Sequence, residues 1–241
     1  MLLLRRLLSG SRPIAVYLAA VLCALGTAGC TREPAPSPPA SQAAPEPAPS
    51  RTDDERPKIA VLGDSLTAGL GLLEAQSYPS LLQQKVDAVG FGYEVLNAGV
   101  SGDTSAGGLR RLDWVLQEDV RILIVALGAN DGLRGLPVAE MKHNLGEIIE
   151  TARGRHVLVI LAGMESPPNY GSEYATAFRQ AYRQLAQQYH VPLIPFLLDK
   201  VAGEASLNQA DGIHPNPAGA KIVADTVWSV LKPMLDQMSA S

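Results

Sequence analysis

Three short, uninterrupted apolar runs, each followed by a glycine, constrain the fold of this chain more than any other feature. They cover residues 58–62, 121–127 and 156–162. Apolar runs of this length that are rich in β-branched residues are typical of strands buried on both faces of a parallel sheet. Weaker runs at residues 93–96 and 191–194 are also predicted to be strands.

Between these runs, apolar residues recur about every 3.6 positions, which indicates helices packed against a sheet. The two clearest stripes are Val138, Met141, Leu145, Ile148 and Ala152, and Tyr174, Phe178, Tyr182, Leu185 and Tyr189. Asn216 as N-cap and Pro217 in the first helical position predict the start of the last helix, and Pro233 predicts its end or a kink. Regular alternation of strand and helix predicts a three-layer α/β/α domain with a central parallel sheet. Ligands of such folds bind beyond the carboxyl ends of the strands.

The first 29 residues are predicted to be a signal peptide that directs export. Three arginines precede an apolar run over residues 14–25, which is too short to span a bilayer comfortably, and small residues follow it. Ala28-Gly29-Cys30 is similar to the end of a bacterial lipobox, so Cys30 is the predicted site of lipidation. Thr27 stands where that motif usually has leucine, and ordinary cleavage after Ala28 is the alternative.

Residues 30–57 are predicted to be a lipidated cysteine followed by a disordered spacer rich in proline and alanine. Eight of the 27 residues from 31 to 57 are proline, a composition that cannot bury a core. The remaining 184 residues, 58–241, are predicted to form one compact domain. Because Thr31, not aspartate, follows the cysteine, we expect a periplasmic lipoprotein anchored in the outer membrane.

Composition excludes several classes of function for this domain. The net charge of the whole chain is −4, so nothing indicates a nucleic-acid binder, which would carry a basic face. Both cysteines, Cys23 and Cys30, precede the domain, which rules out disulfides, thiolate metal sites and cysteine nucleophiles within it. His143, His156 and His190 are scattered and have no ligand partner at a spacing that suits a metal. Neither a P-loop nor a G-x-G-x-x-G motif follows a predicted strand. We therefore predict no metal and no cofactor.

Four short motifs lie where the predicted strands end and before the last helix, at residues 63–66, 97–103, 128–132 and 211–215. Each of the first three motifs alone can be an ordinary turn or loop, whereas the arrangement at 211–215 is more specific. Together they supply Ser65 as a nucleophile, a glycine-rich loop with free backbone N–H groups, and the Asn130 amide as a neutral donor. They also place Asp211 three residues before His214, where the carboxylate can orient the imidazole.

These four blocks, in this order and spacing, resemble those of the GDSL or SGNH hydrolase family across residues 58–241. Residues 63–69, 102–105, 128–134 and 168–171 are similar to its bacterial arylesterase and multifunctional acyl-CoA thioesterase/lysophospholipase subgroup. The resemblance implies a flavodoxin-like fold with a central, mostly five-stranded parallel sheet. It also implies a Ser65–His214–Asp211 triad and an oxyanion hole formed by Ser65, Gly99 and Asn130.

The predicted substrate is a small ester or thioester with an apolar acyl group, hydrolysed by a monomeric catalytic domain. Apolar residues near the predicted strand ends are the candidate substrate-binding residues: Leu66, Leu72, Leu109, Leu133, Met164, Pro167, Tyr170 and Ile213. A carbohydrate-ester deacetylase is the enzymatic alternative, although the domain has only two tryptophans, Trp114 and Trp228, both in predicted helices. A non-catalytic lipid-binding lipoprotein is the alternative from another class, and it is disfavoured because every catalytic position holds a competent residue.

Overall fold

The computed structural model describes residues 56–117 and 119–240. The predictions for the signal peptide, Cys30 and nearly all of the spacer fall on residues 1–55, which lie outside the described residues. Within the described ranges, no helix is long and apolar enough to cross a membrane.

A five-stranded, fully parallel sheet forms the centre of the domain, as the apolar runs predict. The strands are β1 (Lys58–Gly63), β2 (Glu94–Gly99), β3 (Val120–Ala126), β4 (Leu158–Ala162) and β5 (Leu193–Ile194). Their spatial order is β2-β1-β3-β4-β5. All six residues of β1 and six of the seven in β3 are buried, because helices cover both faces of the sheet.

Among the described residues, seven α-helices connect and cover the strands. They are α1 (Ser65–Ala68), α2 (Tyr78–Val89), α3 (Ser105–Val115), α4 (Ala129–Leu133), α5 (Val138–Gly154), α6 (Gly171–Tyr189) and α7 (Pro217–Ser239). Helix α2 contacts α7, whereas α5 contacts both α3 and α6. The two predicted stripes lie on α5 and α6, and Met141, Leu145, Phe178 and Tyr182 are buried in the core. The three-layer α/β/α prediction is therefore confirmed.

The last helix begins as predicted and continues past its internal proline. The side chain of Asn216 accepts hydrogen bonds from the backbone N–H groups of Ala218 and Gly219, which makes it the N-cap. The end expected at Pro233 is not found, since α7 continues to Ser239. Leu235 beyond the proline is fully buried, and this packing offsets the backbone hydrogen bond that proline cannot donate.

The strand order creates one crevice at the carboxyl edge of the sheet. The connection from β1 leads to β2 on one side, whereas the following connections lead to β3, β4 and β5 on the other. Such a reversal leaves an opening between the loops that follow β1 and β3. Gly63 pairs with Ala126 there, so the segments beginning at Ser65 and Ala129 start side by side.

Candidate active site

Three side chains from two distant parts of the chain form a hydrogen-bonded relay at this edge. Ser65 begins α1 directly after β1, while Asp211 and His214 lie in the loop before α7. The Ser65 Oγ lies 2.9 Å from His214 Nε2, and His214 Nδ1 lies 2.7 Å from Asp211 Oδ2. Because an ionised carboxylate only accepts hydrogen bonds, the imidazole carries its proton on Nδ1. Nε2 is then available to accept the proton of the serine hydroxyl.

Local hydrogen bonds keep the carboxylate of Asp211 ionised. Its Oδ1 accepts from the backbone N–H groups of Ile213 and His214, each at 3.0 Å. The bond from Ile213 contributes most, followed by the bond with the His214 ring, and together they lower the pKa of Asp211 to about 2. Asp211 is therefore an anion at neutral pH and can stabilise a protonated imidazole.

Gln209 anchors the loop that carries the histidine. Its backbone N–H donates to the His214 carbonyl at 2.8 Å, and its side-chain Nε2 donates to the Leu70 carbonyl at 2.7 Å. Leu70 lies just after α1, the helix that begins with Ser65. Gln209 thus connects the segment bearing the histidine to the segment bearing the serine.

Asp64, directly before the serine, is a second carboxylate that the sequence reasoning did not single out. It is 1% exposed; its Oδ1 accepts the Leu66 N–H at 3.0 Å, and its Oδ2 accepts the Asn130 amide at 3.2 Å. Burial raises the pKa of Asp64 to about 6. Asp64 therefore caps α1 and also holds a side chain from the neighbouring loop. Its place beside Ser65 at a strand end was the signal that could have identified it.

Asn130 lies in α4, immediately after β3, and its amide points into the crevice between the loops. Its Nδ2 donates to the Asp103 carbonyl at 2.9 Å in addition to Asp64 Oδ2. Contacts to two loops fix the orientation of this neutral donor. Both hydrogens of the amide are engaged, so it can donate to a developing negative charge once it gives up one acceptor, and the bond to Asp64 Oδ2 is the longer of the two.

Gly99, predicted as an oxyanion donor, is the last residue of β2, and its N–H donates to Asn97 Oδ1 at 3.0 Å. A Cβ at Gly99 would meet the backbone nitrogen of Ala68 at 2.2 Å, so the glycine allows β2 and α1 to approach closely.

Gly102, in the loop that follows β2, has a φ of +84°. Its N–H donates none of the hydrogen bonds found in the described part of the chain.

Arg111, from α3, connects the loops that follow β1 and β2. Its Nη2 donates to the Gly63 carbonyl at 2.8 Å, and its Nε donates to Asp103 Oδ2 at 2.6 Å. Both side chains of this ion pair are largely shielded from solvent. Since the Asp103 carbonyl accepts the Asn130 amide, Arg111 fixes the backbone on which that amide rests. No sequence signal marks Arg111, because it lies inside a helix and outside the four motifs.

A cleft of about 440 Å³ opens beside the relay, within the size range of small-molecule sites. Ser65, Asn130 and His214 line one side of it. Ser166 also lines it, and its hydroxyl is buried without a hydrogen-bond partner among the described residues. In the same ranges, no group of three or more His, Cys, Asp or Glu side chains is arranged to hold a metal ion.

The cleft brings together five of the eight predicted substrate-binding residues: Leu66, Leu133, Met164, Pro167 and Ile213. Leu72 lines a separate crevice of about 10 Å³ that also reaches Ser65 and His214. Leu109 packs against the hydrophobic core and does not line the cleft. Tyr170 does not line it either, because its hydroxyl donates to the Leu133 carbonyl at 3.0 Å and its ring contacts Tyr174.

Comparison with known proteins identifies the family. Residues 61–222 match the GDSL-like Lipase/Acylhydrolase family. The chain belongs to this family. Esterase TesA of Pseudomonas aeruginosa is 44% identical over 178 residues, which cover 73% of this chain and 89% of that protein. Thioesterase 1/protease 1/lysophospholipase L1 of Escherichia coli strain K12 is 36% identical over 182 residues, or 75% of this chain and 86% of that protein.

A solved structure supports the fold of this GDSL-family member independently. The psychrotrophic esterase EstA of Pseudoalteromonas sp., in a form inhibited by monoethylphosphonate, superimposes with a TM-score of 0.71 at 36% identity. The match covers 74% of this chain and 98% of EstA. Family membership and these relatives together make the chain an ester-hydrolysing serine hydrolase.

Proposed function

We propose that this protein hydrolyses carboxylic esters and thioesters through an acyl-enzyme formed on Ser65. The hydrogen-bonded relay from Ser65 through His214 to Asp211, at the side of a largely apolar cleft, is the observation that carries the proposal. Ser65 Oγ attacks the substrate carbonyl carbon while His214 Nε2 accepts the hydroxyl proton. His214 then gives that proton to the leaving group, and water, activated in the same way, releases the acid.

The oxyanion of the tetrahedral intermediate is proposed to bind the Ser65 N–H and the Asn130 amide. The Ser65 N–H is the first backbone N–H of α1, and it donates no hydrogen bond within the described residues. A third donor is proposed in the loop after β2. Gly99, the predicted residue, can serve once its N–H leaves Asn97, whereas Gly102 requires no such exchange. Preorganised donors of this kind supply much of the rate enhancement in acyl transfer.

The proposed substrates carry an apolar acyl group. Support comes from the apolar walls of the cleft and from the relatives, whose names include esterase, thioesterase and lysophospholipase. Aryl esters, acyl-CoA-like thioesters and lysophospholipids are the classes to test. A carbohydrate-ester deacetylase is the alternative to test, because Glu165, Ser166 and Asn208 also line the cleft. Phe196 is the aromatic side chain among the lining residues, and neither tryptophan of the domain lines the cleft.

Fluorophosphonate labelling tests the proposed nucleophile, because this reagent modifies activated serines. We expect the wild type to be labelled and to hydrolyse p-nitrophenyl butyrate. Ser65→Ala should lose both properties and keep its thermal stability. Ser101→Ala, an exposed serine in the loop after β2, is the matched control and should behave as the wild type. Labelling that survives Ser65→Ala would refute the assignment.

A series of p-nitrophenyl esters of increasing acyl length tests the substrate class. The apolar cleft predicts that kcat/KM rises from acetate to medium-length chains, as more apolar surface is buried in the transition state. A preference for acetylated sugars over all of these esters would favour the deacetylase. An absence of turnover on every ester would favour the non-catalytic lipid-binding protein.

The location of the protein is also a proposal. We propose that residues 1–29 are removed as a signal peptide and that a lipidated Cys30 anchors a monomeric domain, residues 58–241, at the periplasmic face of the outer membrane. Mass spectrometry of the mature N-terminus tests this directly. A diacylated or triacylated cysteine is expected, and an unmodified N-terminus at Gly29 would show ordinary secretion instead.

A further inference from the structure

The exposed apolar side chains of the domain are concentrated at one edge. Nine large apolar residues are exposed among the described residues, and six of them lie in the segments on the carboxyl side of the sheet: Leu70, Leu73, Val100, Leu133, Tyr170 and Ile213. We call these six the apolar rim. The other three, Val89, Trp114 and Leu158, lie at the opposite edge, where α2 and α3 end and β4 begins.

The apolar rim surrounds the proposed catalytic residues. Leu133 and Ile213 line the cleft, and Leu70 lines the adjacent crevice; both openings include Ser65 and His214. Tyr170 is hydrogen-bonded to the Leu133 carbonyl, and Val100 follows β2 directly. Leu73 is 72% exposed and does not pack against the core. Exposed apolar side chains that cluster around one site, instead of being scattered singly, indicate a contact with an apolar partner.

We propose that the apolar rim rests on a lipid bilayer and that the enzyme takes its acyl substrates directly from it. This inference depends on the proposed esterase function and names the physical source of the substrate. The domain carries 14 basic and 19 acidic residues, so its net charge does not favour attraction to anionic headgroups. Apolar side chains inserted at the headgroup boundary provide the association instead.

The length and starting point of the spacer fit this orientation. The domain begins at Lys58, the first residue of β1, so the chain enters at the edge opposite the apolar rim. A domain of this size is about 40 Å across. A proline-rich segment extends about 3.1 Å per residue, so the 27 residues from 31 to 57 can span about 80 Å. With Cys30 anchored in the membrane, the spacer is therefore long enough for the domain to turn its apolar rim towards the bilayer.

Two double variants with matched exposure test the role of the rim. Leu73→Ser with Val100→Ser removes side chains that are 72% and 46% exposed at the rim, neither of which lines the cleft. Val89→Ser with Trp114→Ser removes side chains that are 51% and 64% exposed at the opposite edge. Acylated protein, verified by mass, is reconstituted in phosphatidylcholine vesicles. The substrates are a long-chain lysophospholipid held in the bilayer and soluble p-nitrophenyl butyrate.

We expect the rim variant to lose about tenfold in rate on the bilayer substrate and to stay within about twofold on the soluble one. The opposite-edge variant should match the wild type on both. Deleting residues 35–48 should also slow the bilayer reaction alone, because the shortened spacer no longer reaches around the domain. Raising the salt concentration should leave the bilayer rate unchanged.

Contact itself can be measured without turnover. Brominated phosphatidylcholine should quench the added tryptophan fluorescence of Leu73→Trp and not that of Val89→Trp. Equal quenching of the two, or a rim variant that behaves as the wild type on both substrates, overturns the proposal. The proposal is also overturned if the wild type is a dimer and the rim variant is a monomer, because the partner of the rim would then be a second copy of this chain. If the wild type does not hydrolyse p-nitrophenyl butyrate, the proposed esterase function itself is refuted.

Discussion

Asn130 presents its amide to the Asp64 carboxylate and the Asp103 carbonyl, and a substitution can separate its proposed oxyanion role from simple turn formation. Asn130→Ala removes the donor, and loss of one such donor typically lowers kcat by about 10²–10³. Asn130→Asp keeps the size and turn preference but places a second carboxylate against Asp64 and the oxyanion. With p-nitrophenyl butyrate as substrate, we expect kcat to be highest for the wild type, lower for Asn130→Ala and lowest for Asn130→Asp.

Thermal melting of both Asn130 variants is the necessary control, because a destabilised loop would also lower activity. The expected result is a loss of kcat that exceeds any loss of folded protein at the assay temperature. If Asn130→Asp retained near wild-type turnover with an unchanged Tm, Asn130 would be a turn residue only.

The buried carboxylate of Asp64 makes stability depend on pH with a predictable sign. Burial raises the pKa of Asp64 from 3.8 to about 6 in the folded state. Between these two values the folded state binds more protons than the unfolded state, so the free energy of unfolding falls as the pH rises. The cost of ionising the buried group is absent below about pH 4 and complete above about pH 6.

Asp64→Asn removes this ionisation and keeps an oxygen that can accept the Leu66 N–H. The new amide nitrogen cannot accept from Asn130, so the change with pH is the quantity to measure. Relative to the wild type, the free energy of unfolding of the variant should be on the order of 1–3 kcal/mol higher at pH 8 than at pH 4, where Asp64 is neutral. Urea denaturation at the two pH values measures it, and an equal difference at both would contradict the assigned pKa.

At the scale of elements, the close approach of β2 and α1 depends on Gly99. A methyl group there would meet the Ala68 backbone nitrogen at 2.2 Å, and backbone cannot rotate away as a side chain can. Gly99→Ala should therefore cost about 1–3 kcal/mol in unfolding free energy, the range for overpacking. It should also lower kcat, because α1 begins with Ser65 and would be displaced.

Gly92→Ala is the matched control for that prediction. Gly92 lies just before β2, and a Cβ there has no neighbour within 4 Å. Its effect on stability should stay within about 0.5 kcal/mol. Equal melting temperatures for the two variants would show that α1 and β2 can separate without cost.

At the scale of the whole molecule, the described domain contains its own core. All five strands lie at or after Lys58, and the buried cluster is drawn from residues 59–235. We expect a chain of residues 58–241 to unfold in one cooperative transition. Its rate on p-nitrophenyl butyrate should lie within about twofold of the mature protein's. A domain that aggregates, or that needs the preceding segment for turnover, would contradict this prediction.

Much of the architecture could be predicted from the sequence because burial leaves a local pattern. The runs at 58–62 and 121–127 match β1 and β3 to within one residue, since strands buried on both faces need continuous apolar side chains. The weaker run at 191–194 contains β5, which has only two residues, and so short a strand gives a weak local pattern from which its bounds could not be predicted. Of the two outcomes expected at Pro233, an end of α7 is not found, because the helix continues to Ser239 and buries Leu235 beyond the proline.

The residue types that could perform acyl transfer were readable from the sequence, because motifs are local. Ser65 and Asn130 follow apolar strand runs, and the Asp211–His214 pair precedes the last helix. The hold of Asp64 on Asn130 and of Arg111 on Asp103 became visible in the folded structure. The tertiary structure also decided that the Gly99 N–H is already bonded and that Tyr170 lies outside the cleft. These outcomes depend on distances between residues far apart in sequence, which folding sets and periodicity does not encode.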